Sequence, residues 1–331
     1  MKKLINQEDK IVDEMLDGMV RAYPQFIRRV EGFDVIVRAG GSKGKVALVT
    51  GGGSGHEPAH GGYVGKGMLD GAVAGAVFTS PTPDQVYEAI KEADGGRGVL
   101  LIIKNYTGDV MNFEMAADMA RDDGIEVEQV ITADDVAVEN STWTIGRRGI
   151  AGTIFVHKIA GACAEAGRDL AEVKRVAGKV IENTRSMGMA LDACTLPALG
   201  KPSFELAGDE VEIGIGIHGE PGVCREKITP VNAIVDKLLG KILAEGIYNS
   251  GDEVAVLVNG MGATPLMELF VANRHLNEAL DSKRIKVYRT MVGNYMTSLD
   301  MAGFSITLLK LDEELKTYLD APCSTPALVQ A

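Results

Sequence analysis

Apolar residues along the 331-residue chain follow two rhythms. Short runs dense in Val, Ile and Leu alternate with longer segments whose apolar positions recur every three or four residues. That is the pattern of strands alternating with helices in an α/β protein. In the first half, strands are predicted at Asp34–Arg38, Val46–Thr50, Gly71–Phe78, Val99–Lys104 and Glu126–Ile131. A helix is predicted at Gln7–Ala22, where Ile11, Met15, Leu16 and Met19 share one face. Further helices fit Pro83–Ala93 and Val110–Asp123, the first begun by the turn Ser80-Pro81-Thr82-Pro83, since proline is tolerated in an initial helical turn. Glycines 146, 149 and 152 lead into a helix at Thr153–Ala166, and another runs over Leu170–Met187.

The rhythm repeats in the second half. Strands are predicted at Ala190–Thr195, Glu210–His218, Glu253–Val258, Lys286–Met291 and Ser305–Leu309, with helices at Val231–Glu245 and Pro265–Glu278. A domain boundary is placed near Ser186–Met189. The expected fold is therefore α/β with two domains, each a sheet flanked by helices: a three-layer first domain over residues 1–186 and a smaller second domain over 187–331.

Composition narrows the function. The chain is 46% hydrophobic, enough for sizeable cores, and its 40 glycines imply many close backbone approaches. Its formal net charge of −12, with no basic cluster, argues against nucleic-acid binding. Four scattered cysteines form no C-x-x-C pair, which fits reduced thiols in the cytoplasm. No apolar run follows the N-terminal lysines as a secretory signal would require, and none is long enough to span a bilayer. A cytoplasmic protein without membrane association is expected.

Three strand-end loops carry candidate chemistry. The first, Thr50-Gly51-Gly52-Gly53-Ser54-Gly55-His56-Glu57-Pro58-Ala59-His60-Gly61-Gly62, follows the strand VALV. Glycines after a strand expose N–H groups that can hold an oxygen-rich ligand, and otherwise make only a tight turn. The dinucleotide spacing fails because His56 or Pro58 falls where its last glycine is required. The phosphate-loop spacing fails at Gly65-Lys66, which has His60 and Gly67 at the required places, and at Gly44-Lys45, which has Ala39 and Val46. His56-Glu57-Pro58-Ala59-His60 fits H-E-x-x-H by letter. Pro58 argues against the helix that would bring both histidines to one zinc.

The second loop, Lys104-Asn105-Tyr106-Thr107-Gly108-Asp109, ends the strand VLLII. Asp109 is either a general base assisted by Lys104 or a cap on the following helix. The third loop is His218-Gly219-Glu220-Pro221-Gly222. In the strand before it Val211, Ile213, Ile215 and Ile217 face one way, while Gly214 and Gly216 clear space on the face carrying His218. That histidine is a nucleophile or a solvated turn residue. His157 and His275 read as structural or solvated.

Together the segments GGGSGHEPAHGGYVGKGML, VFTSPTPDQVYEAI, LLIIKNYTGDVMNFEMA and IGIHGEPG resemble the K-subunit family of dihydroxyacetone kinases, over essentially the whole chain. The resemblance implies that His218 attacks the ketone and forms a hemiaminal. It also implies that His56 and Asp109 contact the hydroxyl that receives phosphate, and that Gly53, Ser54, Gly55 and Lys104 line the same pocket. Either Asp109 or His56 then takes the hydroxyl proton. A neutral imidazole is a usable nucleophile near pH 7, and attack on a carbonyl selects ketones over glycerol.

ATP-dependent members of that family resemble this chain followed by a nucleotide-binding domain. A chain ending at Ala331 thus looks like the separate subunit. The implied partners are dihydroxyacetone, a nucleotide-loaded L subunit, indirectly a phosphotransferase-system phosphocarrier that recharges it from phosphoenolpyruvate, and a second copy in a homodimer. No cofactor or metal is expected on this chain, with ADP/ATP and Mg on the L subunit. The alternative is a dihydroxyacetone-sensing co-regulator of transcription without kinase activity.

Overall fold

The computed structural model describes residues 2–139 and 145–331. These sort into two compact units, neither contiguous in sequence. The first unit holds Lys2–Thr132, Ile154–Val180 and Leu315–Ala331, and the second holds Ala133–Thr153 and Ile181–Glu314. A single cut after residue 186 differs from this division in three places, at residues 133–153, 181–186 and 315–331.

The first half of the chain forms α1 (Ile11–Ala22), β1 (Ile27–Arg29), β2 (Val35–Arg38), β3 (Ala47–Ser54), β4 (Gly71–Val77), α2 (Pro83–Ala93), β5 (Val99–Lys104), α3 (Thr107–Asp122) and β6 (Val127–Thr132). Helices α4 (Thr153–Glu165) and α5 (Leu170–Glu182) follow. The sheet of the first unit has the order β1-β2-β4-β3-β5-β6. Strands β4, β3, β5 and β6 are parallel, and the β1–β2 hairpin adds an antiparallel edge.

Parallel strands are buried on both faces, which explains why β5 reads as the unbroken run VLLII. Val49, Leu101 and Ile103 pack with Val86 and Ile90 of α2 and Phe113 and Ala117 of α3. Ile36, Leu48, Leu100 and Ile102 alternate with that set and are also buried, so both faces of the sheet are covered. Every residue of α4 from Thr153 to Ala164 is buried. Helices so enclosed lack a polar face, and the polar residues they carry must find partners inside the fold.

The second half adds β7 (Thr184–Asp192), the short pair β8 (Thr195–Leu196) and β9 (Lys201–Pro202), β10 (Glu210–Ile213), β11 (Cys224–Lys227), α6 (Val231–Leu243), β12 (Glu253–Gly260), α7 (Leu266–Ser282), β13 (Lys286–Gly293) and β14 (Ala302–Leu311). The chain closes with α8 (Glu313–Asp320) and the pair β15 (Cys323–Ser324) and β16 (Val329–Gln330). The sheet of the second unit has the order β11-β10-β7-β14-β12-β13, and only β12 and β13 run parallel. Ile234 and Leu238 of α6 and Leu269 and Leu276 of α7 cover it through Met187, Val256 and Ile306.

Three boundaries depart from expectation for physical reasons. Helix α5 stops at Glu182 rather than Met187, because residues 184–192 pair with β14 and Ser186 shares a hydrogen bond with Thr307. Strand β3 runs through its glycines to Ser54 rather than ending at Thr50. Strand β10 ends at Ile213 rather than His218, because Gly214 takes a positive φ of 79° that breaks the strand. No helix of the described residues is long and apolar enough to cross a membrane.

Candidate active site

Each unit carries one cluster of polar groups at the ends of its strands, and each cluster stands on its own contacts. In the first unit the glycines at the end of β3 make close approaches possible. A Cβ on Gly51 would sit 2.7 Å from the Val73 carbonyl, and one on Gly53 2.5 Å from the Thr79 amide. A Cβ on Gly52 would lie 2.4 Å from the Lys104 ammonium and 3.7 Å from Asp109 Oδ2. The missing Gly52 side chain is thus the space toward which Lys104 and Asp109 converge.

Lys104 ends β5 and is fully buried. Burial pushes its pKa down, and the nearby Asp109 carboxylate opposes that shift. Asp109 is the third residue of α3, whose N-cap is Tyr106, so it does not cap the helix. It is nonetheless 4% exposed and lies in the first turn, where the helix dipole favours a negative charge.

Residues 55–60 form a turn rather than a helix. His56 and His60 therefore do not share a helical face, and the two-histidine zinc geometry does not arise. His56 is buried and stacks on Phe78, with ring centroids 5.1 Å apart and planes 17° apart. The Ser54 hydroxyl donates to the Gly75 carbonyl at 2.7 Å. Glu57 folds back so that the Gly55 N–H donates to its carboxylate oxygens at 3.0 and 3.1 Å, and burial raises the Glu57 pKa. The turn thereby supplies its own anion to the Gly55 amide.

Both ring nitrogens of His60 are engaged. Nε2 lies 3.0 Å from the Lys104 ammonium, and Nδ1 lies 3.0 Å from His157 Nε2. Burial, then the Lys104 charge, holds His60 well below the ordinary imidazole range. The same two causes bring His157 down to about 3. Both rings are neutral at pH 7.

In the second unit His218 sits in the excursion between β10 and β11, which closes where the Val223 N–H donates to the Ile213 carbonyl at 2.7 Å. Glu220 reaches back and accepts twice from His218, from the backbone N–H at 2.9 Å and at Nδ1 at 2.9 Å. Gly216 makes this possible, because a Cβ there would lie 2.0 Å from Glu220 Oε2 and 2.7 Å from Arg148 Nη1. Burial disfavours the Glu220 charge, yet His218 and Arg148 outweigh it and bring its pKa to about 2. Arg148 is itself fully buried, paired with Asp135 at 2.7 Å and donating to the Gly214 carbonyl at 2.7 Å. His218 keeps a side-chain exposure of 20%, so a buried network of Glu220, Arg148 and Asp135 supports a partly exposed imidazole.

Sequence reasoning singled out Lys104, Asp109, His56 and His218, and passed over Phe78, His157, Arg148 and Glu220. Glu220 lay within the quoted IGIHGEPG segment, two residues from His218. Arg148 lies in a glycine-rich run ahead of an apolar helix, where nothing local distinguishes it from the partly exposed Arg147 beside it. His157 lies in helix α4, as expected, and is fully buried there rather than solvated. His275 is paired with Asp236 on the surface.

Fold and clusters together define an α/β protein that offers polar, acid–base groups from strand ends. A family model described as "Dak1 domain" matches residues 17–327, and the chain belongs to that family, which includes the dihydroxyacetone-binding subunits of dihydroxyacetone kinases. It is 58% identical over 314 residues to the PTS-dependent dihydroxyacetone kinase 1, dihydroxyacetone-binding subunit DhaK of Listeria innocua, covering 95% of each chain. Among solved structures, the dihydroxyacetone kinase of C. freundii superposes with a TM-score of 0.93 at 38% identity, covering 99% of this chain and 60% of that one. A dihydroxyacetone kinase operon co-activator superposes with a TM-score of 0.91 at 38% identity, covering 96% and 98%.

Proposed function

We propose that this chain is the dihydroxyacetone-binding subunit of a dihydroxyacetone kinase, with His218 as the nucleophile that captures the ketone. The observation that carries the reading is the Glu220 carboxylate on His218 Nδ1. A carboxylate there holds the proton on Nδ1 and leaves the lone pair on Nε2. Attack by Nε2 forms the N–C bond while the carbonyl π pair moves to oxygen. The Nδ1 proton leaves through Glu220 to solvent and the alkoxide oxygen takes one from solvent, so the hemiaminal forms without net change of charge. Glu220 stabilises the positive charge that develops on the ring in between.

Phosphoryl transfer then needs a positioned hydroxyl and control of charge. His56 and Asp109 are the proposed groups at that hydroxyl, with Lys104 and the backbone of Gly53, Ser54 and Gly55 lining the pocket. Nucleotide and magnesium are assigned to a partner L subunit, recharged from phosphoenolpyruvate through a phosphotransferase-system carrier, with dihydroxyacetone phosphate as product. A homodimer in the cytoplasm completes the proposal.

Likeness to the operon co-activator supports a second reading, capture of dihydroxyacetone as a signal without phosphorylation. Incubation with dihydroxyacetone, an L subunit, magnesium and its phosphate donor separates the two. Dihydroxyacetone phosphate appearing in proportion to the added chain supports the kinase reading. Ligand capture with no product in that mixture supports the sensor.

A further inference from the structure

We propose that His60 and His157 are positioning residues for Lys104: a one-directional chain of hydrogen bonds, ammonium to His60 to His157, that aims the Lys104 amine at the space beside Gly52. Neither histidine is needed for the capture chemistry, and nothing in the proposed function assigns them a part. The inference deepens that function and rests on it only in the activity arm of the test below.

Lys104 and His157 are almost fully buried and His60 is 6% exposed, so each polar atom requires a partner within the fold. Lys104 Nζ meets His60 Nε2 at 3.0 Å, and His60 Nδ1 meets His157 Nε2 at 3.0 Å. An ammonium only donates, so His60 Nε2 must accept and the His60 proton must stay on Nδ1. That proton is donated to His157 Nε2, which places the His157 proton on its own Nδ1. His157 Nδ1 has no hydrogen-bond partner among the described residues. A buried N–H without an acceptor is costly, and the orientation of Lys104 supplies a reason to retain it.

The groups facing Lys104 fit this polarity. Asp109 on α3 favours the ammonium form, while His60, His157 on α4 and His56 in the turn carry no negative charge to draw it away. Both imidazoles sit in surroundings that disfavour a second proton, so the chain keeps one direction across the working pH range. A carboxylate in place of His60 would hold Lys104 more tightly and compete with Asp109. A neutral acceptor fixes the direction of the amine and leaves its charge available beside Gly52.

The test uses the full chain labelled with 15N-histidine and 13C-lysine. Between about pH 5.5 and 8.5 both imidazoles are expected as neutral Nδ1–H tautomers. Replacing the acceptor by His60→Leu should shift the Lys104 signals and lower its titration midpoint. His60→Gln, whose carbonyl oxygen stands near Nε2, should restore both. In the kinase assay His60→Leu should lower kcat by about 10²-fold, as a misplacement of about 1 Å does, with His60→Gln recovering most of it. An Nε2–H tautomer or a cationic ring at either histidine in that range overturns the proposal, as does a Lys104 signal unmoved in His60→Leu. Should His60→Leu not fold, the wild-type tautomers still decide. If wild type phosphorylates nothing, the functional reading fails, and the tautomers decide the lysine chain alone.

Discussion

The two units use histidine in opposite electrostatic settings. In the first, His60 faces the ammonium of Lys104, and burial together with that cation holds the ring neutral as an acceptor. In the second, His218 faces the carboxylate of Glu220, an anion kept ionised by His218 itself and by Arg148. An imidazole next to a cation accepts from it, turns its own proton away and orients it. An imidazole next to an anion has its lone pair presented outward and its developing charge compensated, which is what a nucleophile requires. The difference lies in the second ring nitrogen's partner, not in the residue.

His218→Ala is expected to lower phosphorylation of dihydroxyacetone by more than about 10³-fold, read in the assay with the L subunit. Asp109→Asn should lower the same rate by about 10²- to 10⁴-fold while leaving capture of the ketone intact. Full activity in that variant would remove Asp109 from the mechanism. Glu220→Gln sharpens the contrast by removing the anion alone. Capture should weaken by about 10- to 100-fold, in proportion to the loss of charge compensation, with His218 still present. The smallest effect is expected at Gly216, where a methyl would press on Glu220 and Arg148. Gly216→Ala should cost about 1–3 kcal/mol in urea unfolding and weaken capture in parallel.

Acid should act on the second unit in a defined sense. The Glu220 carboxyl titrates near 2 in the folded chain, below its unfolded value. Its contribution to stability is therefore present above about pH 4.3 and lost as pH falls through 2. Glu220→Gln should flatten that part of the stability profile.

Much of this is legible in the sequence. The run VLLII marks the strand at Val99–Lys104, and the charged residues at its end mark where Lys104 and Asp109 converge, whereas its parallel pairing and two-sided burial come from the fold. The glycines of the first loop were visible, but their role was not. Gly52 is required by the Lys104 side chain from another strand, and no local pattern reports a contact 52 residues away. Alternation carried the predicted β10 on to His218, whereas Gly214 and the Glu220 contact fold that stretch into a loop. His157 was hidden for a similar reason. In a helix enclosed on every side, a histidine looks like one more core residue until its partner is known.

Covalent capture of the ketone is read by 13C NMR with carbonyl-labelled dihydroxyacetone. The wild-type chain is expected to shift the carbonyl carbon from the ketone region to that of a tetrahedral carbon bonded to nitrogen and oxygen. With 15N-histidine that carbon should couple to His218 Nε2, and His218→Ala should show no such signal. A labelled ketone that binds at saturation yet keeps its carbonyl resonance, in wild type and variant alike, would contradict the account.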